Sequence, residues 1–457
     1  MDPTKQKMVL AVTSLAGFAS TFMGSSINIA LPLIGDEFHA SAVMLGWISL
    51  SFILATGAIL MPVGKLADAY GRKRIFLIGL ILFTLTSFAS ALAPSTGVLL
   101  VLRVIQGLAS AFIFASNTAM VSLAYPPETR GRALGTQVAG VYLGLTLGPT
   151  LGGGLSHHLG WRGLFVVVGG LGLLTWATPT VTLRRIEWRE PKQAGFDILG
   201  SAVWALAFCA LLLGFSYLPG WAGAVLIAAG MGGIALFLRW EGRAADPVLN
   251  VDLLRHNSVF LFSNVAALIN YAATSAMTFL MSLYLQYNRG LDAQTAGFIL
   301  VCGTALQTLF SPVAGRLADR VQARALASAG MGLCALGLFA FVFLRETTPY
   351  WYVLSTLSIL GIGFAFFASP ITYTIMGSVA KPQVGLAGAT LASMRVIGQT
   401  MSIGIATLVL AVEVGRRAIH PADYPQLLTS VRVTFAIFAA LCLAGVAASL
   451  VGRRPEG

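Results

Sequence analysis

The sequence predicts an all-α integral membrane protein, because of its high apolar content, its scarcity of charge and the length of its apolar runs. Of 457 residues, 57% are hydrophobic and only 10% are charged, whereas soluble domains average about 45–50% apolar and about 25% charged residues. A helix of about 20 residues crosses a bilayer, and fourteen apolar runs reach roughly that length. Most of the surface must therefore face lipid, and a single polytopic domain is expected.

The apolar runs form a group of six, a pair and a second group of six. The first eight cover residues 8–33, 43–63, 75–94, 97–121, 133–155, 161–182, 196–217 and 220–238. The last six cover residues 258–286, 294–314, 325–344, 350–378, 384–412 and 429–451. An even number of spans puts both termini on the same side of the membrane.

The basic residues predict the orientation of these spans. Of the 29 Lys and Arg, 21 fall in the termini and the even-numbered loops, six in or beside the odd-numbered loops, and two within spans. Cytoplasmic loops carry the excess of Lys and Arg, so we expect a multi-pass protein of the cell inner membrane with both termini cytoplasmic. This distribution accounts for the net charge of +12 without a nucleic-acid partner. The first run is too long for a signal-peptide core and should remain as a span.

Two loops 251 residues apart have similar sequences. One reads GKLADAYGRKR from Gly64 to Arg74, and the other reads GRLADR from Gly315 to Arg320. Such a repeat indicates two homologous six-helix halves, at residues 1–183 and 258–457. The seventh and eighth spans, within the linker segment 184–257, are then an insertion between the halves.

Four sequence motifs carry a resemblance to a known family. The first loop matches G-x-L-a-D-r-x-G-r-k-r, residues 103–107 match R-x-x-Q-G, and residues 28–32 match N-x-A-L-P. The fifth span fits G-x8-G-x3-G-P-x2-G-G at every fixed position, namely Gly135, Gly144, Gly148, Pro149, Gly152 and Gly153. Over nearly its whole length the chain resembles the major facilitator superfamily, and within it the fourteen-span drug:proton antiporters. The resemblance implies two six-helix halves plus two inserted helices, 14 transmembrane helices in all, alternating access, and export rather than uptake.

The duplicated loops are candidate conformational gates. Asp68 can receive a helix N-terminus or pair with a basic residue of the next cytoplasmic loop, and either contact would latch one conformation. An ordinary positive-inside turn is the alternative, and the second copy of the loop favours gating. The candidate gating residues are Gly64, Asp68, Arg72, Arg130, Arg132, Gly315 and Asp319.

The fifth span has a smooth face made of small residues. Gly144, Gly148 and Gly152 recur every four residues, so another backbone can approach this face closely. Pro149 removes a backbone donor and favours a bend. We expect the face to pack between the two halves, where alternating access needs a contact that can repack.

Arg103 and Arg395 are the charged residues inside predicted spans. An arginine in the membrane centre costs about 2.5–3.5 kcal/mol, so each should face the protein interior or a water-filled cavity and have a partner. Gln106 stands one turn from Arg103 and can share its hydrogen bonds. The alternative for both arginines is that they tie helices together through carbonyls. The resemblance implies proton-linked conformational work at Arg103.

A carboxylate that the resembling family uses is absent from the first span. Five residues before Asn28 this chain has Met23, and Ser25 stands where a threonine is usual. None of the 17 acidic residues and none of the five histidines is expected at mid-membrane, although proton coupling requires a group that exchanges a proton. Asp36 and Glu413, at span ends, are the remaining coupling candidates, and solvated interface charge is the alternative for both.

The substrate cavity is expected near the midplane between the halves. It should contain amides, aromatic rings and cationic groups but no anion, which disfavours lipophilic dications and favours an amphipathic anion, a neutral compound or a lipid. Besides Arg103, the candidate lining residues are Met23, Ser25, Asn28, Gln106, Tyr142, Asn270, Tyr271, Gln307, Phe364, Phe367 and Arg395.

The sequence therefore predicts a secondary active transporter that exports small amphipathic or hydrophobic compounds, as multidrug exporters do, with proton linkage. The alternatives are a facilitator or exporter of organic anions or lipids without proton coupling, and a transporter-like sensor without flux. No G-x-x-x-x-G-K-[ST] loop and no convergent catalytic groups occur in the sequence, so no enzyme activity, metal or cofactor is expected. The expected partners are the substrate, protons and the lipid bilayer, but no nucleic acid, and the chain is expected to be a monomer.

Overall fold

The computed structural model describes residues 2–182, 197–218, 220–243, 257–318, 320–379 and 384–451. Almost all of these residues are helical, which satisfies the backbone hydrogen bonds that lipid cannot supply. Within these ranges one isolated β-bridge joins Ser41 to Ala418. The predicted all-α fold is confirmed, while most of the predicted linker 184–257 outside its two helices lies beyond the described residues.

Six helical segments form the first half of the molecule. The first four are α1 (Pro3–Phe38), α2 (Ala42–Tyr70), α3 (Arg72–Ala91) and α4 (Thr96–Ala124). The next helix, Pro127–Thr182, contains Gly160 with a non-helical φ of 68° and ψ of 170°. This glycine divides it into α5 (127–159) and α6 (161–182), because a positive φ is a conformation that glycine adopts without strain.

The inserted pair and the second half complete the bundle. The inserted helices are α7 (Ile198–Tyr217) and α8 (Trp221–Glu241). The next span, α9 (Ser258–Asn288), ends in a π-helical turn over Tyr284–Asn288. The remaining helices are α10 (Ala293–Ala318), α11 (Ala323–Phe341), α12 (Tyr350–Gly377), α13 (Val384–Glu413) and α14 (Tyr424–Val451).

Twelve stretches of the described chain are long and apolar enough to cross a membrane. One of them, Ala139–Thr180, contains Gly160 and therefore includes both α5 and α6. The apolar part of α7, Ile198–Leu211, is shorter. Counting α6 and α7 separately gives the fourteen helices that the apolar runs predict.

Small residues let the helices of each half approach closely. In the first half, a side chain at Gly107 of α4 would collide with the carbonyl of Phe52 in α2. In the second half, Gly361 of α12 lies against the backbone of Gly303 in α10. Helix association in membranes depends on such close packing, which explains part of the high glycine content of the chain.

The glycine face of α5 packs within the first half, so the prediction that it packs between the halves is wrong. Gly148 faces Ser25, and Gly144 faces the backbone of Phe18, both on α1. The residues that meet the other half are Gly153, against the carbonyl of Ala293 on α10, and the carbonyl of Pro149, against Gly297 on α10. Gly152 faces α1 as well, through Ser26. The small side chains of α1, such as Ser25 and Ser26, allow the close approach that the glycines of α5 permit, so this face does not require a helix of the other half.

The inserted pair covers a junction between the halves. Trp204 and Phe208 of α7 and Phe237 of α8 form a small apolar cluster with Ala58 of α2 and Ile397 of α13. The Trp204 and Phe208 rings are stacked with centroids 5.6 Å apart. The pair thus contacts one helix of each half along the same seam.

Candidate functional site

The two halves are hydrogen-bonded to each other at one end of the bundle. We call the side where α1 begins and α14 ends the terminus face, and the opposite side the far face. Near the far face, Gln286 Nε2 of α9 donates to the carbonyl of Ile29 at 3.0 Å. The hydroxyl of Tyr287 lies 3.4 Å both from the carbonyl of Pro32 and from Oδ1 of Asp36. These contacts close the far face between α1 and α9.

Two further polar contacts join α5 to α10 and to Asp292, the residue just before α10. His157 Nδ1 lies 3.7 Å from Oδ1 of Asp292 near the far face, and the Thr146 and Thr308 hydroxyls are 2.9 Å apart nearer the middle. The pKa of Asp292 is lowered, chiefly because its carboxylate accepts a hydrogen bond from the backbone of Thr295. Between side chains that the structure describes, the contacts of α1 with α9 and of His157 with Asp292 lie near the far face, and the Thr146–Thr308 bond lies at about mid-height.

Four of the predicted lining residues come together between the halves. Tyr271 of α9 and Phe364 of α12 pack edge to face with ring centroids 5.6 Å apart. Tyr271 also interacts electrostatically with Tyr142 of α5 and Arg395 of α13. All four are half-buried and stand 11 to 15 residues from the terminus-face ends of their helices, about 17–22 Å deep at 1.5 Å per residue. We call Tyr142, Tyr271, Phe364 and Arg395 the central cluster.

Arg395 has no anionic partner in this cluster. No hydrogen bond or ion pair joins its guanidinium to another residue in the described ranges. A guanidinium offers five donors in a planar fork that suits carboxylate, sulfonate or phosphate oxygens. An arginine placed deep in a membrane protein normally has a partner, so the central cluster has the chemistry of an anion-binding site with aromatic walls.

Arg103, by contrast, is fully buried inside the first half. Its Nε donates to the carbonyl of Ile48 at 3.1 Å, and Nη1 donates to Gln106 at 2.6 Å. Gln106 in turn donates to Ser87 at 2.7 Å, and the guanidinium carbon lies 4.4 Å from the ring centroid of Phe52. The hydrogen bond to Gln106 is the one that its spacing predicts, but neither residue borders the inter-half space in this conformation.

Most of the other predicted lining residues are used in helix packing. Ser25 donates to the carbonyl of Leu145 at 3.1 Å, and Asn28 accepts from Ser49 at 2.9 Å. Gln307 is half-buried, and its side chain makes no hydrogen bond to a described residue of the central cluster. The remaining three are completely buried and cannot line an open cavity here: Met23, Asn270 and Phe367.

Both candidate coupling acids lie at the far face and outside the central cluster. Asp36 is exposed and meets Tyr287. Glu413 is exposed on the outside of the bundle, beside Leu218 of α7. A neighbouring acid that the sequence does not single out, Glu37, accepts from Arg162 at 2.6 Å. The coupling role of Asp36 and Glu413 stays a prediction.

The gating loops are described only in part. The side chains of Asp68, Arg130 and Arg132, together with the whole of Asp319, lie outside the described residues. Arg72 begins α3. A Cβ added at Gly64 or at Gly315 would meet nothing within 4 Å, so close packing does not explain either glycine.

Sequence reasoning missed the residues that close the far face and those that support Arg103. Gln286 and Tyr287 lie in the π-helical turn of α9. The polar residues of the segment YLQYN, at the end of an apolar run, could have indicated a contact there. Ser87 and Phe52 belong to ordinary apolar stretches, so nothing in the sequence marks them.

Comparison with known proteins gives a consistent family assignment. Residues 13–238 and 263–457 match the family described as Major Facilitator Superfamily. The chain is 33% identical over 413 residues to the multidrug resistance protein Stp of Mycobacterium tuberculosis, covering 89% of this chain and 76% of that protein. It is 26% identical over 395 residues to the riboflavin transporter RibZ of Clostridioides difficile, covering 86% and 85%.

A solved structure has a similar fold. It is a bacterial homologue of the human lysosomal transporter Spinster, in an inward-facing and unoccupied conformation. The match has a TM-score of 0.70 at 17% identity and covers 100% of both chains. Together with the family match, this similarity of fold confirms the predicted superfamily fold.

Proposed function

We propose that this chain, which belongs to the Major Facilitator Superfamily, is a fourteen-span secondary transporter that exports small amphipathic compounds. The family and the fold indicate a multi-pass membrane transporter. Export is supported by the multidrug resistance protein among its relatives and by the antiporter pattern of the fifth span. The distribution of Lys and Arg supports a cytoplasmic terminus face in the inner membrane. The chain acts as a monomer, because each half supplies one wall of the site.

The observation that carries the proposal is the central cluster. Its residues come from α5 in one half and from α9, α12 and α13 in the other, so any rocking of the halves changes the site that they share. The halves are bonded at the far face, by Gln286 and Tyr287. The substrate therefore enters from the terminus face in this conformation, and breaking the far-face contacts releases it on the other side.

Organic anions are the second candidate substrate class, and Arg395 favours them. The guanidinium lacks a protein anion in the described ranges, and an anionic group of the substrate supplies one. The Tyr271 and Phe364 rings then hold the apolar body of the same molecule. A lipophilic dication would meet unfavourable charge at Arg395.

Proton linkage rests on groups away from this cluster. Asp36 is the better coupling candidate because Tyr287 of the other half contacts it, so its environment changes when the far face opens. Glu413 lies on the outer surface of the bundle beside Leu218 and Val433, so no residue of the first half lines the groove that it borders.

Transport by purified protein in proteoliposomes tests these proposals. The probes are three fluorescent dyes of similar size, one anionic (a naphthalene sulfonate), one neutral and one quaternary ammonium, each with and without an imposed pH gradient. We expect saturable transport and counterflow of the anionic and neutral dyes. The Asp36→Asn variant should lose the response to the gradient, while the Glu413→Gln variant keeps it.

The possible failures of this experiment are separable. No saturable transport of any dye would contradict the exporter proposal. Transport of the quaternary ammonium dye alone would contradict the anion proposal but not export. A gradient response that survives in both acid variants would contradict the assignment of coupling to Asp36.

A further inference from the structure

An open groove lies on the membrane-facing surface of the first half, between α3 and α6. It has a volume of about 320 Å³ and is lined by Lys73, Arg74, Leu77, Ile78, Ile81 and Trp176. None of these residues belongs to the central cluster. The groove is therefore independent of the transport site.

The lining of the groove changes from cationic to apolar with depth. Lys73 and Arg74 belong to the first turn of α3 at the terminus face. Leu77, Ile78 and Ile81 follow one to two turns further into the membrane, up to about 10 Å from Arg74 at 1.5 Å per residue. Arg74 is exposed, and Ile78 is 42% exposed. A molecule in the bilayer can therefore reach the groove at both its charged and its apolar residues.

Trp176 of α6 forms part of the opposite wall. It stands six residues before the terminus-face end of this helix at residue 182, about 9 Å from that end at 1.5 Å per residue. Tryptophan favours the membrane interface because its ring is apolar and its N–H is polar. The groove thus has an aromatic residue opposite the first apolar turn of α3.

We propose that this groove binds an anionic phospholipid of the leaflet on the terminus face. Its phosphate lies at Arg74, and an acyl chain follows Leu77, Ile78 and Ile81 inward. Basic pockets between transmembrane helices bind acidic headgroups in this way. The charge of the groove selects an anionic lipid over a zwitterionic one, because the exposed Arg74 lies at its terminus-face end and its lining contains no acid.

The sequence repeat predicts one such site for each chain. The first gating loop ends in Gly71-Arg72-Lys73-Arg74, whereas the second copy lacks this cluster after Gly315-Arg316-Leu317-Ala318-Asp319-Arg320. In the second half, α11 begins with Ala323 and Arg324, so no pair of adjacent cations opens it. A bound lipid would therefore hold α3 against α6 in the first half alone.

Native mass spectrometry of the full chain in non-ionic detergent tests the proposal. The protein is titrated with phosphatidylglycerol and with phosphatidylcholine of identical acyl chains. We expect the first phosphatidylglycerol to bind at least ten-fold more tightly than phosphatidylcholine. Arg74→Gln should weaken that binding about five-fold, which corresponds to ~1 kcal/mol for one interfacial cation. Ile78→Trp, which fills the apolar part, should weaken it without changing the charge.

Arg239→Gln is the matched control, because Arg239 is an exposed arginine in the last turn of α8, also at the terminus face. It should leave the first binding event unchanged. Equal binding of the two lipids, or equal losses in the Arg74→Gln and Arg239→Gln variants, would overturn the proposal. Competition by glycerol 3-phosphate as strong as that of the lipid would instead indicate a site for free phosphate, and would also overturn it.

Discussion

The two arginines inside the membrane have opposite surroundings. Arg103 is completely enclosed in the first half, where the Ile48 carbonyl and the Gln106 amide accept from Nε and Nη1, the Phe52 ring lies against the guanidinium, and Nη2 has no hydrogen-bond partner among the described residues. Arg395 is half-buried between the halves, beside Tyr271, without a hydrogen bond to a described residue. Sequence position alone makes the two residues look equivalent.

The difference separates an arginine that supports the fold from one that is free to bind substrate. A buried cation with its own hydrogen-bond partners stabilises one helix arrangement, since losing any partner leaves a polar group unpaired in an apolar interior. A half-buried cation without partners contributes little to stability but attracts anions. Stability measurements and transport measurements should therefore respond to different arginines.

The largest expected effect is that of Arg103→Ala on stability. The substitution leaves the Gln106 amide and the Ile48 carbonyl without their donor and opens a cavity beside Phe52. We expect a loss of about 3 kcal/mol, seen as a clearly lower melting temperature in detergent. Arg395→Ala is the control and should change stability by less than about 0.5 kcal/mol. Equal losses in the two variants would remove the distinction between the arginines.

The Gln106→Leu substitution isolates the polar network from the charge. It keeps the side-chain volume but leaves Arg103 Nη1 buried without a partner, while the Ser87 hydroxyl keeps its hydrogen bond to the carbonyl of Phe83. We expect a loss of about 2 kcal/mol by the same melting measurement. In the Gln106→Leu/Arg103→Met double variant, part of that loss should be recovered, because no buried charge remains unpaired. Additive losses would mean that the two residues act separately.

The Arg395→Gln substitution tests the other side of the comparison. Transport of an anionic dye should fall at least ten-fold, because the substrate loses a charge-assisted hydrogen bond worth about 1.5–3 kcal/mol. Transport of a neutral dye of similar size should change less than two-fold. Arg395→Lys keeps the charge but lacks the planar fork, so its transport of the anionic dye should lie between that of the native protein and that of Arg395→Gln. A parallel loss for both dyes would assign Arg395 to the conformational change instead of to binding.

The smallest expected effect concerns Asp292, a charge exposed at the far face. Its carboxylate accepts from the backbone and the hydroxyl of Thr295 at the start of α10. Asp292→Ala should cost about 1 kcal/mol, as loss of a helix cap does, whereas Asp292→Asn keeps an acceptor and should cost less. The folded pKa lies below the ordinary value of 3.8.

This direction of the shift sets the pH dependence of that effect. The ionised form contributes stability above about pH 4, and the contribution is lost as the pH falls through the lower folded pKa. The melting temperatures of the native chain and of Asp292→Asn should therefore converge in acid. A constant difference down to pH 3 would contradict a role for the charge.

Much of the fold could be predicted from the sequence, because spanning a bilayer restricts the chain to long apolar helices. The fourteen runs and the repeat of the Gly64 loop required no tertiary information. Identifying the helix that packs against the α5 glycine face did require tertiary information. Gly144 and Gly148 predict only that a backbone comes close, and α1 presents small residues such as Ser25 at the matching spacing.

The site could be predicted in part. Tyr142, Tyr271, Phe364 and Arg395 are predicted residues that the structure brings together, while Met23 and Phe367 point into packed interiors. Helices that are apolar on all sides give no periodic signal for the face that lines a cavity. Knowing that a residue belongs to a span therefore does not predict whether its side chain faces the cavity or the packed interior. Tyr287 was missed because its role depends on the approach of α1.

The small apolar cluster formed by Trp204, Phe208 and Phe237 of α7 and α8 should affect the rate at which the halves move. Trp204 and Phe208 pack in one cluster with Ala58 of the first half and Ile397 of the second. When the halves move relative to each other, these rings must therefore slide along at least one of the two helices. Such sliding contacts act as friction. Removing one of these rings, as in Phe208→Ala, should therefore make each transport cycle faster while leaving the affinity for substrate unchanged, so the inserted pair sets the rate of the movement.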